Sequence, residues 1–417
     1  MDIGLIRMRY TPYGGAEIFV SRFVDELLQK GHMCHIFARE WDRNTGVMGK
    51  GQGANTDSRL KTYPPEADSK LIFHKVKAFG PSFLRLLSFA ANSYFAIRKA
   101  NLDIVISFDR TLYQDIYRAG DGCHREWLFQ RQKVWSMEHR AWGRNTIKKL
   151  TTCLNPLHLT ILYLEKKLFQ SKRLKFVVAN SKRGRDEIIR HYSLPEGKFC
   201  VIYNGIDIKA FNLNDREKIR VIYRERLNIK NETLLLFVGS GFERKGLRFL
   251  IEALGILKRK GYERLKLVVV GKGEMRKYQA LAELCGAGED VKFIGPASDV
   301  KGYYCAADIF VLPSIYEPFS NACLEAMASQ LPVVTSRING VSEILTSGKD
   351  GMIVDDPSNP EEIAEKIKPL LHEETRLTVG KAARKTVENY TIENNVESFL
   401  RVIEEVKKID SRPKTRD

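Results

Sequence analysis

Short apolar runs alternate along the chain with amphipathic stretches of helical period. Ile3-Gly4-Leu5-Ile6 comes first. The loop Tyr10-Thr11-Pro12-Tyr13-Gly14-Gly15 then leads into Ile18, Phe19, Phe23, Val24, Leu27 and Leu28 at helical spacing, closed by Gly31. The run Cys34-His35-Ile36-Phe37 completes a strand–loop–helix–strand unit with a glycine loop at the first strand's carboxyl end. Leu102–Ser107 and Lys175–Ala179 predict further strands, the latter followed by the helix cap Asn180-Ser181. The second half repeats the scheme: strand Leu234–Val238, loop Gly239–Gly246, helix Leu247–Leu257, strand Leu265–Val270, then strands at Val291–Ile294, Ile309–Leu312 and Pro332–Thr335. Strands alternating with helices of 10–15 residues predict α/β domains with doubly wound parallel sheets.

At 417 residues the chain suits two such domains. They are expected to meet near 205–232, giving an N-terminal domain over 1–204, a C-terminal domain over 205–390, and a last segment over 391–417. That segment holds a helix, Ile392–Lys408, with Val396, Phe399, Leu400, Ile403 and Val406 on one face. Such a helix can cross back to the first domain. A glycine-rich stretch at 46–53 and a polar tail at 411–417 predict surface loop and tail.

A composition 43% hydrophobic and 29% charged excludes disorder for all but short segments. No apolar run approaches the roughly 20 residues a membrane-spanning helix needs, and the N-terminus lacks a signal-peptide pattern. The seven cysteines (34, 123, 153, 200, 285, 305, 323) include no C-x-x-C, so a zinc knuckle or disulfide framework is not expected and a reducing cytoplasm is. The net charge of +17 is lopsided: residues 1–204 hold 34 Lys and Arg against 19 Asp and Glu, residues 205–417 hold 34 against 32. One half faces something anionic.

Candidate chemistry gathers first at Glu317-Pro318-Phe319-Ser320-Asn321-Ala322-Cys323-Leu324-Glu325. Glu317 precedes a proline and falls outside the helix, while Ser320 and Asn321 are good caps. Free N–H groups at this helix start can hold an anion, with one carboxylate beside it and another, Glu325, about a turn in. The same spacing also suits a helix bearing two solvated glutamates. Gly239 and Gly271 close their strands in glycine loops, and Arg244-Lys245 lies in the first of these. Two fixed cations and backbone N–H groups can stabilise charge on a leaving phosphate, although a loop Arg-Lys is as often simply solvated. No Asp-x-Asp pair occurs, so no divalent ion is expected for chemistry, and no cofactor.

Taken together, Gly14-Gly15-Ala16-Glu17, Asn204-Gly205-Ile206-Asp207, Gly241-Phe242-Glu243-Arg244-Lys245-Gly246, Gly271-Lys272-Gly273-Glu274 and Glu317 through Glu325 resemble the retaining GT-B glycosyltransferases of family 4, over residues 1–405. The resemblance implies two Rossmann-like domains facing a cleft, and a nucleotide-sugar donor as substrate. It implies that Glu325 binds the ribose, Glu317 approaches the sugar hydroxyls, and Arg244 and Lys245 hold the pyrophosphate. Donor contacts are expected from Gly14, Gly15, Gly239, Gly271, Phe319, Ser320 and Asn321 as well.

Tyr117-Arg118-Ala119-Gly120-Asp121-Gly122-Cys123-His124 resembles the Ala-x-Asp-x-Cys segment of the lipopolysaccharide core α-glucosyltransferase subgroup, which puts Asp121 near the acceptor and the reacting centre. Asp109, at the carboxyl end of Leu102–Ser107, is a second candidate base. The turn Asn204–Asp207 and the Glu317–Asn321 segment follow the commoner family form, which leaves donor sugar and acceptor open.

Residues 110–175 hold 14 Lys and Arg against five acidic residues, with Trp127, Trp135 and Trp142. An uncharged stretch, Leu150–Leu164, is flanked by Lys148-Lys149 and Lys166-Lys167. Basic residues mixed with Trp and Leu suit a segment lying on an anionic membrane; they also suit helices buried within the domain. RNA is disfavoured because no nucleic-acid signature accompanies the charge. The sequence thus predicts a metal-independent, retaining hexosyltransferase peripheral on the inner face of the cytoplasmic membrane. It would move glucose from UDP-glucose onto a lipopolysaccharide core or related membrane-linked glycan. Alternatives are a family 4 enzyme using UDP-GlcNAc or GDP-mannose in exopolysaccharide or glycolipid synthesis, a GT-B-like epimerase, and a membrane- or polyanion-docking protein with a degenerate site.

Overall fold

The computed structural model describes residues 1–10, 15–41, 70–138, 155–297 and 299–410. Gly14, Trp142, Lys148, Lys149, the stretch 46–53 and the tail 411–417 lie outside them. Seven strands form the first sheet: β1 (Asp2–Ile6), β2 (Met33–Ala38), β3 (Leu71–Lys75), β4 (Ile104–Ser107), β5 (Ile116–Ala119), β6 (Phe176–Ala179) and β7 (Phe199–Val201). Their order is β3-β2-β1-β4-β5-β6-β7, all parallel. Six form the second: β8 (Thr233–Val238), β9 (Leu265–Val270), β10 (Val291–Gly295), β11 (Ile309–Leu312), β12 (Val333–Ser336) and β13 (Met352–Val354), in the order β10-β9-β8-β11-β12-β13, again all parallel. These are two doubly wound, Rossmann-like domains. Helices cover both faces, so the central strands are apolar on both sides; Leu234 to Phe237 and Ile309 to Leu312 are fully buried.

Strand order reverses between β1 and β4 in one sheet and between β8 and β11 in the other. Open α/β sheets hold their ligands at such switch points, beyond the carboxyl ends of the strands. Register levels the edge: Ile6 pairs with Ser107 and Ser107 with Tyr117, so Arg7, Phe108 and Arg118 leave this edge side by side.

The chain passes between the domains twice at one place. Ile206 N–H donates to the Tyr390 carbonyl (2.9 Å) and Ile392 N–H to the Ile206 carbonyl (3.2 Å). Gly205 permits this approach, because a Cβ there would stand 2.2 Å from the Thr391 carbonyl oxygen. The terminal helix Ile392–Asp410 then lies on the N-terminal domain, where Phe399 packs edge-on to Phe23 with ring centres 4.9 Å apart. Among the described residues no helix is long and apolar enough to cross a membrane.

Candidate active site

Between the two switch points lies a cavity of about 220 Å3, lined from the N-terminal domain by Arg7, Phe108, Arg118, Gly120 and Asp121 and from the other by Lys245, Glu317, Phe319, Ser320 and Asn321, with Asn204 at the junction. Local folding accounts for each C-terminal contribution. Beyond β8 the chain turns through Gly239 into the loop carrying Arg244 and Lys245. Gly271, after β9, packs so closely on this loop that a Cβ would meet the Gly239 carbonyl oxygen at 2.1 Å. A Cβ on Gly239 would in turn strike the Lys245 stem, so the paired glycines let that side chain lie along the loop. The Arg244 carbonyl accepts from Ile315 N–H (2.9 Å), which ties the cations to the segment after β11.

That segment delivers Glu317, only 6% exposed. Lys245 Nζ donates to its Oε2 at 2.5 Å, and Arg244 Nη2 lies 3.7 Å from the same oxygen. Burial opposes ionisation of Glu317, but the Lys245 and Arg244 cations outweigh it and hold the carboxyl below its usual pKa. Ser320 caps the helix Asn321–Ala328 by accepting from Cys323 N–H (3.3 Å). One turn in, Glu325 accepts from the Tyr304 hydroxyl (2.8 Å). Burial pushes its pKa up to about 7, against the hydrogen bond from Tyr304 and the charge of Lys245. Glu325 does not line the cavity with Glu317; its carboxylate meets Tyr304 instead.

On the opposite wall Asp121 follows β5 in the turn Gly120–Gly122 and is 67% exposed, with Arg110 Nη1 3.7 Å away. Arg110 also pairs with buried Glu165 (2.9 Å) and donates to the Gly122 carbonyl (3.0 Å), holding the turn in place. Asp109 is elsewhere engaged. It accepts from Met8 N–H (2.5 Å) and faces Arg7 (3.5 Å), so it braces the end of β1 and contributes no lining to the cavity.

The structure corrects one expectation. Trp127 and Trp135 do not face outward with the basic segment; they line the interdomain side of the helix His124–Glu138. The Trp135 indole N–H donates to Glu243 (3.1 Å), Arg131 forks onto the same carboxylate (3.1 and 3.2 Å), and Trp127 packs against Tyr316. The indole N–H thus finds its acceptor across the domain boundary, on Glu243 beside Arg244. Lys166 and Lys167 are exposed, near the end of the helix Pro156–Phe169.

Sequence reading missed Arg7, Phe108 and Arg118 as lining residues. Arg118 had a visible signal: an arginine inside a strand whose other residues, Ile116, Tyr117 and Ala119, are all apolar or aromatic and buried. Among the described residues, no three His, Cys, Asp or Glu side chains converge in a metal-holding group.

Residues 13–210 match the model of Glycosyltransferase Family 4, and residues 219–386 that of Glycosyl transferases group 1. The chain is 26% identical over 373 residues to lipopolysaccharide glucosyltransferase WaaG of Escherichia coli, a match covering 89% of this chain and 90% of that one. It is 38% identical over 195 residues to the uncharacterized glycosyltransferase MJ1607 of Methanocaldococcus jannaschii, where the match covers 45% of this chain and 48% of the relative's length. Among solved structures it is similar to WaaG (TM-score 0.74, 24% identity, 96% of this chain and 99% of that). It is also similar to Anabaena HepE in complex with UDP and glucose (TM-score 0.66, 18% identity, 96% and 99%).

Proposed function

Because the chain belongs to the GT-B glycosyltransferases of family 4, we propose that it is a retaining hexosyltransferase carrying glucose from UDP-glucose to a lipopolysaccharide core or related membrane-linked glycan. One observation carries this reading: Arg244 and Lys245 converge on Glu317 beside a capped helix start, in a cleft whose other wall presents Asp121. The WaaG and HepE likenesses support the choice of donor and acceptor.

In this reading the donor's diphosphate lies against the glycine loops and the two cations, Glu325 accepts from the ribose hydroxyls, and Glu317 accepts from hydroxyls of the sugar. As the bond from the anomeric carbon to the phosphate oxygen breaks, negative charge builds on the leaving diphosphate. Lys245 and Arg244, fixed before the reaction, stabilise that charge without reorganisation, an effect worth about 10²–10³ in rate per donor group removed. No metal ion is assigned a part. The acceptor hydroxyl approaches from the Asp121 wall, and its proton passes to the leaving phosphate oxygen on the same face, so configuration is retained. The Glu317–Asn321 segment, in the commoner family form, leaves a second reading open, in which the donor is UDP-GlcNAc or GDP-mannose.

We place the enzyme at an anionic membrane. The helices Ser82–Lys99 and Pro156–Phe169 pack together and expose Phe95 (62%), Leu159 (50%) and Tyr163 (50%) near Arg98, Lys99, Lys166 and Lys167. Aromatic and aliphatic side chains ringed by lysine and arginine suit the interfacial region of a bilayer. The stereochemical assignment is tested by NMR of the product from UDP-α-glucose: an α-linkage supports it, and a β-linkage overturns it.

A further inference from the structure

Arg118 is 6% exposed and has no carboxylate paired with it among the described residues. One Nη2–H donates to Asn204 Oδ1 (3.0 Å), and the guanidinium lies over the Phe19 ring, 4.0 Å from its centre. Its position is fixed from across the cleft: Asn204 Nδ2 donates onward to Asn321 Oδ1 (2.8 Å), at the start of the Asn321–Ala328 helix. The face of the guanidinium turned to Gly120 is kept open, since a Cβ on that glycine would approach Nη1 to 3.3 Å. Arg118 lines the same cavity as Asp121 and Glu317.

An arginine buried for packing alone needs an acid to balance its charge. Here burial, and then the neighbouring Arg7 cation, bring its pKa down to about 10, with Asp121 opposing. Arg7 is already matched by Asp109 at 3.5 Å. Of the described cations that line the cavity, Lys245 is paired with Glu317 and Arg7 with Asp109, while Arg118 has no carboxylate partner and keeps N–H donors in the fork geometry that suits a phosphate or carboxylate. The donor's diphosphate has its cations on the other wall, at Arg244 and Lys245, so a second anion is implied on the acceptor side.

We propose that Arg118, held by Asn204 and Phe19, is an anion-binding residue of the acceptor subsite, so that the acceptor sugar bears a phosphate close to the hydroxyl that receives the hexose. The inference rests on the transferase reading of the same cleft. It assigns Arg118 to choice of acceptor and leaves the donor to Arg244, Lys245 and Glu325.

The test is calorimetric titration of glucose 6-phosphate into the full-length protein, alone and with saturating UDP, for wild type, Arg118→Gln and Arg118→Lys. The proposal expects sugar phosphate to bind alongside UDP. Arg118→Gln should weaken that binding at least about tenfold, one charge-assisted pair being removed, and shift UDP affinity less than about twofold. Arg118→Lys, which keeps the charge and loses the fork, should fall between. Unchanged sugar-phosphate affinity in both variants overturns the proposal. Competition between UDP and sugar phosphate, or a tenfold loss of UDP affinity in Arg118→Gln, overturns it too by placing Arg118 in the donor site. If wild type fails to bind UDP, the chosen donor is wrong, while loss of sugar-phosphate binding in Arg118→Gln still supports the anion subsite.

Discussion

Lys245 Nζ stands 2.5 Å from Glu317 Oε2, a cation from the loop after β8 paired with a carboxylate from the loop after β11, both nearly buried at the point where the C-terminal sheet reverses its strand order. Arg244 faces the same oxygen at 3.7 Å. The site therefore carries two cations for one acid, leaving positive charge available to a diphosphate.

Removing either cation should slow transfer. Arg244→Ala and Lys245→Ala are each expected to lower kcat by at least about tenfold. Lys245→Ala should also lower the melting temperature, because it leaves Glu317 buried with only the more distant Arg244. The pH profile separates the two effects. Glu317's pKa is lowered in the folded protein, so its contribution is present above its unfolded value near 4.5 and is lost as pH falls through the folded value. Melting curves between pH 3 and 5 should show wild type losing more stability than Lys245→Ala. Parallel curves, with kcat unchanged in both variants, would remove the roles given to the pair.

Glu325 predicts a different pH dependence. Burial pushes its carboxyl up to about pKa 7. The ionised form, an acceptor at both oxygens, holds ribose hydroxyls better than the protonated form, which turns one oxygen into a donor. Affinity for UDP-glucose, whose phosphates do not titrate in this range, should rise as pH increases from 6 to 8. Glu325→Gln should flatten that rise and weaken binding by about tenfold. Glu317→Ala should act mainly on kcat. Calorimetric titration across the pH range reads both; a pH-independent wild type would contradict the ribose assignment.

The domains are also joined by a buried contact that titrates. The Tyr316 hydroxyl accepts from Cys123 N–H (2.8 Å) and donates to Glu187 (3.1 Å), which burial pushes up to about pKa 7 against the charge of Arg183, with Glu126 pushing the same way as burial. A raised acid contributes most below its unfolded pKa and loses its contribution as pH rises through the folded one. The melting temperature should therefore fall between pH 5 and 8 in wild type, and less so in Glu187→Gln. Tyr316→Phe, which leaves the buried Cys123 N–H without its acceptor and removes one of the donors to Glu187, should cost about 1–3 kcal/mol, measured by denaturant unfolding.

Much of this was legible from sequence, for physical reasons that differ between residues. Long buried strands such as Leu265–Val270 announce themselves as unbroken apolar runs. The edge strands Phe199–Val201 and Met352–Val354 are three residues long and carry too little pattern. Glu317 and the Arg244-Lys245 pair stood out because glycine loops and caps are local signals. Arg118 and the partner of Trp135 did not, since each depends on a residue brought from elsewhere: Asn204 lies 86 positions from Arg118, and Glu243 lies 108 from Trp135. Tryptophans in a basic segment look alike whether they meet lipid or another domain.

The membrane assignment is checked with vesicles. The protein should co-sediment with anionic vesicles and far less with neutral ones. Salt should weaken the binding, since screening shortens the reach of each cation to about 8 Å at physiological ionic strength. Neutralising Lys166 and Lys167 together with Lys148 and Lys149 should release most of it and spare turnover on a soluble acceptor. Equal binding to both vesicle types would contradict the assignment.

The central claim is nucleotide-sugar transfer in the cleft between Lys245 and Asp121. Mass spectrometry of reactions offered UDP-glucose, UDP-GlcNAc and GDP-mannose with a lipopolysaccharide core acceptor, in the presence of EDTA, tests it most directly. The account predicts nucleoside diphosphate release with a matching hexose mass gain on the acceptor, greatest for UDP-glucose, undiminished by EDTA and reduced at least about tenfold in Lys245→Ala. No release from any donor, or release that Lys245→Ala leaves intact, would contradict it.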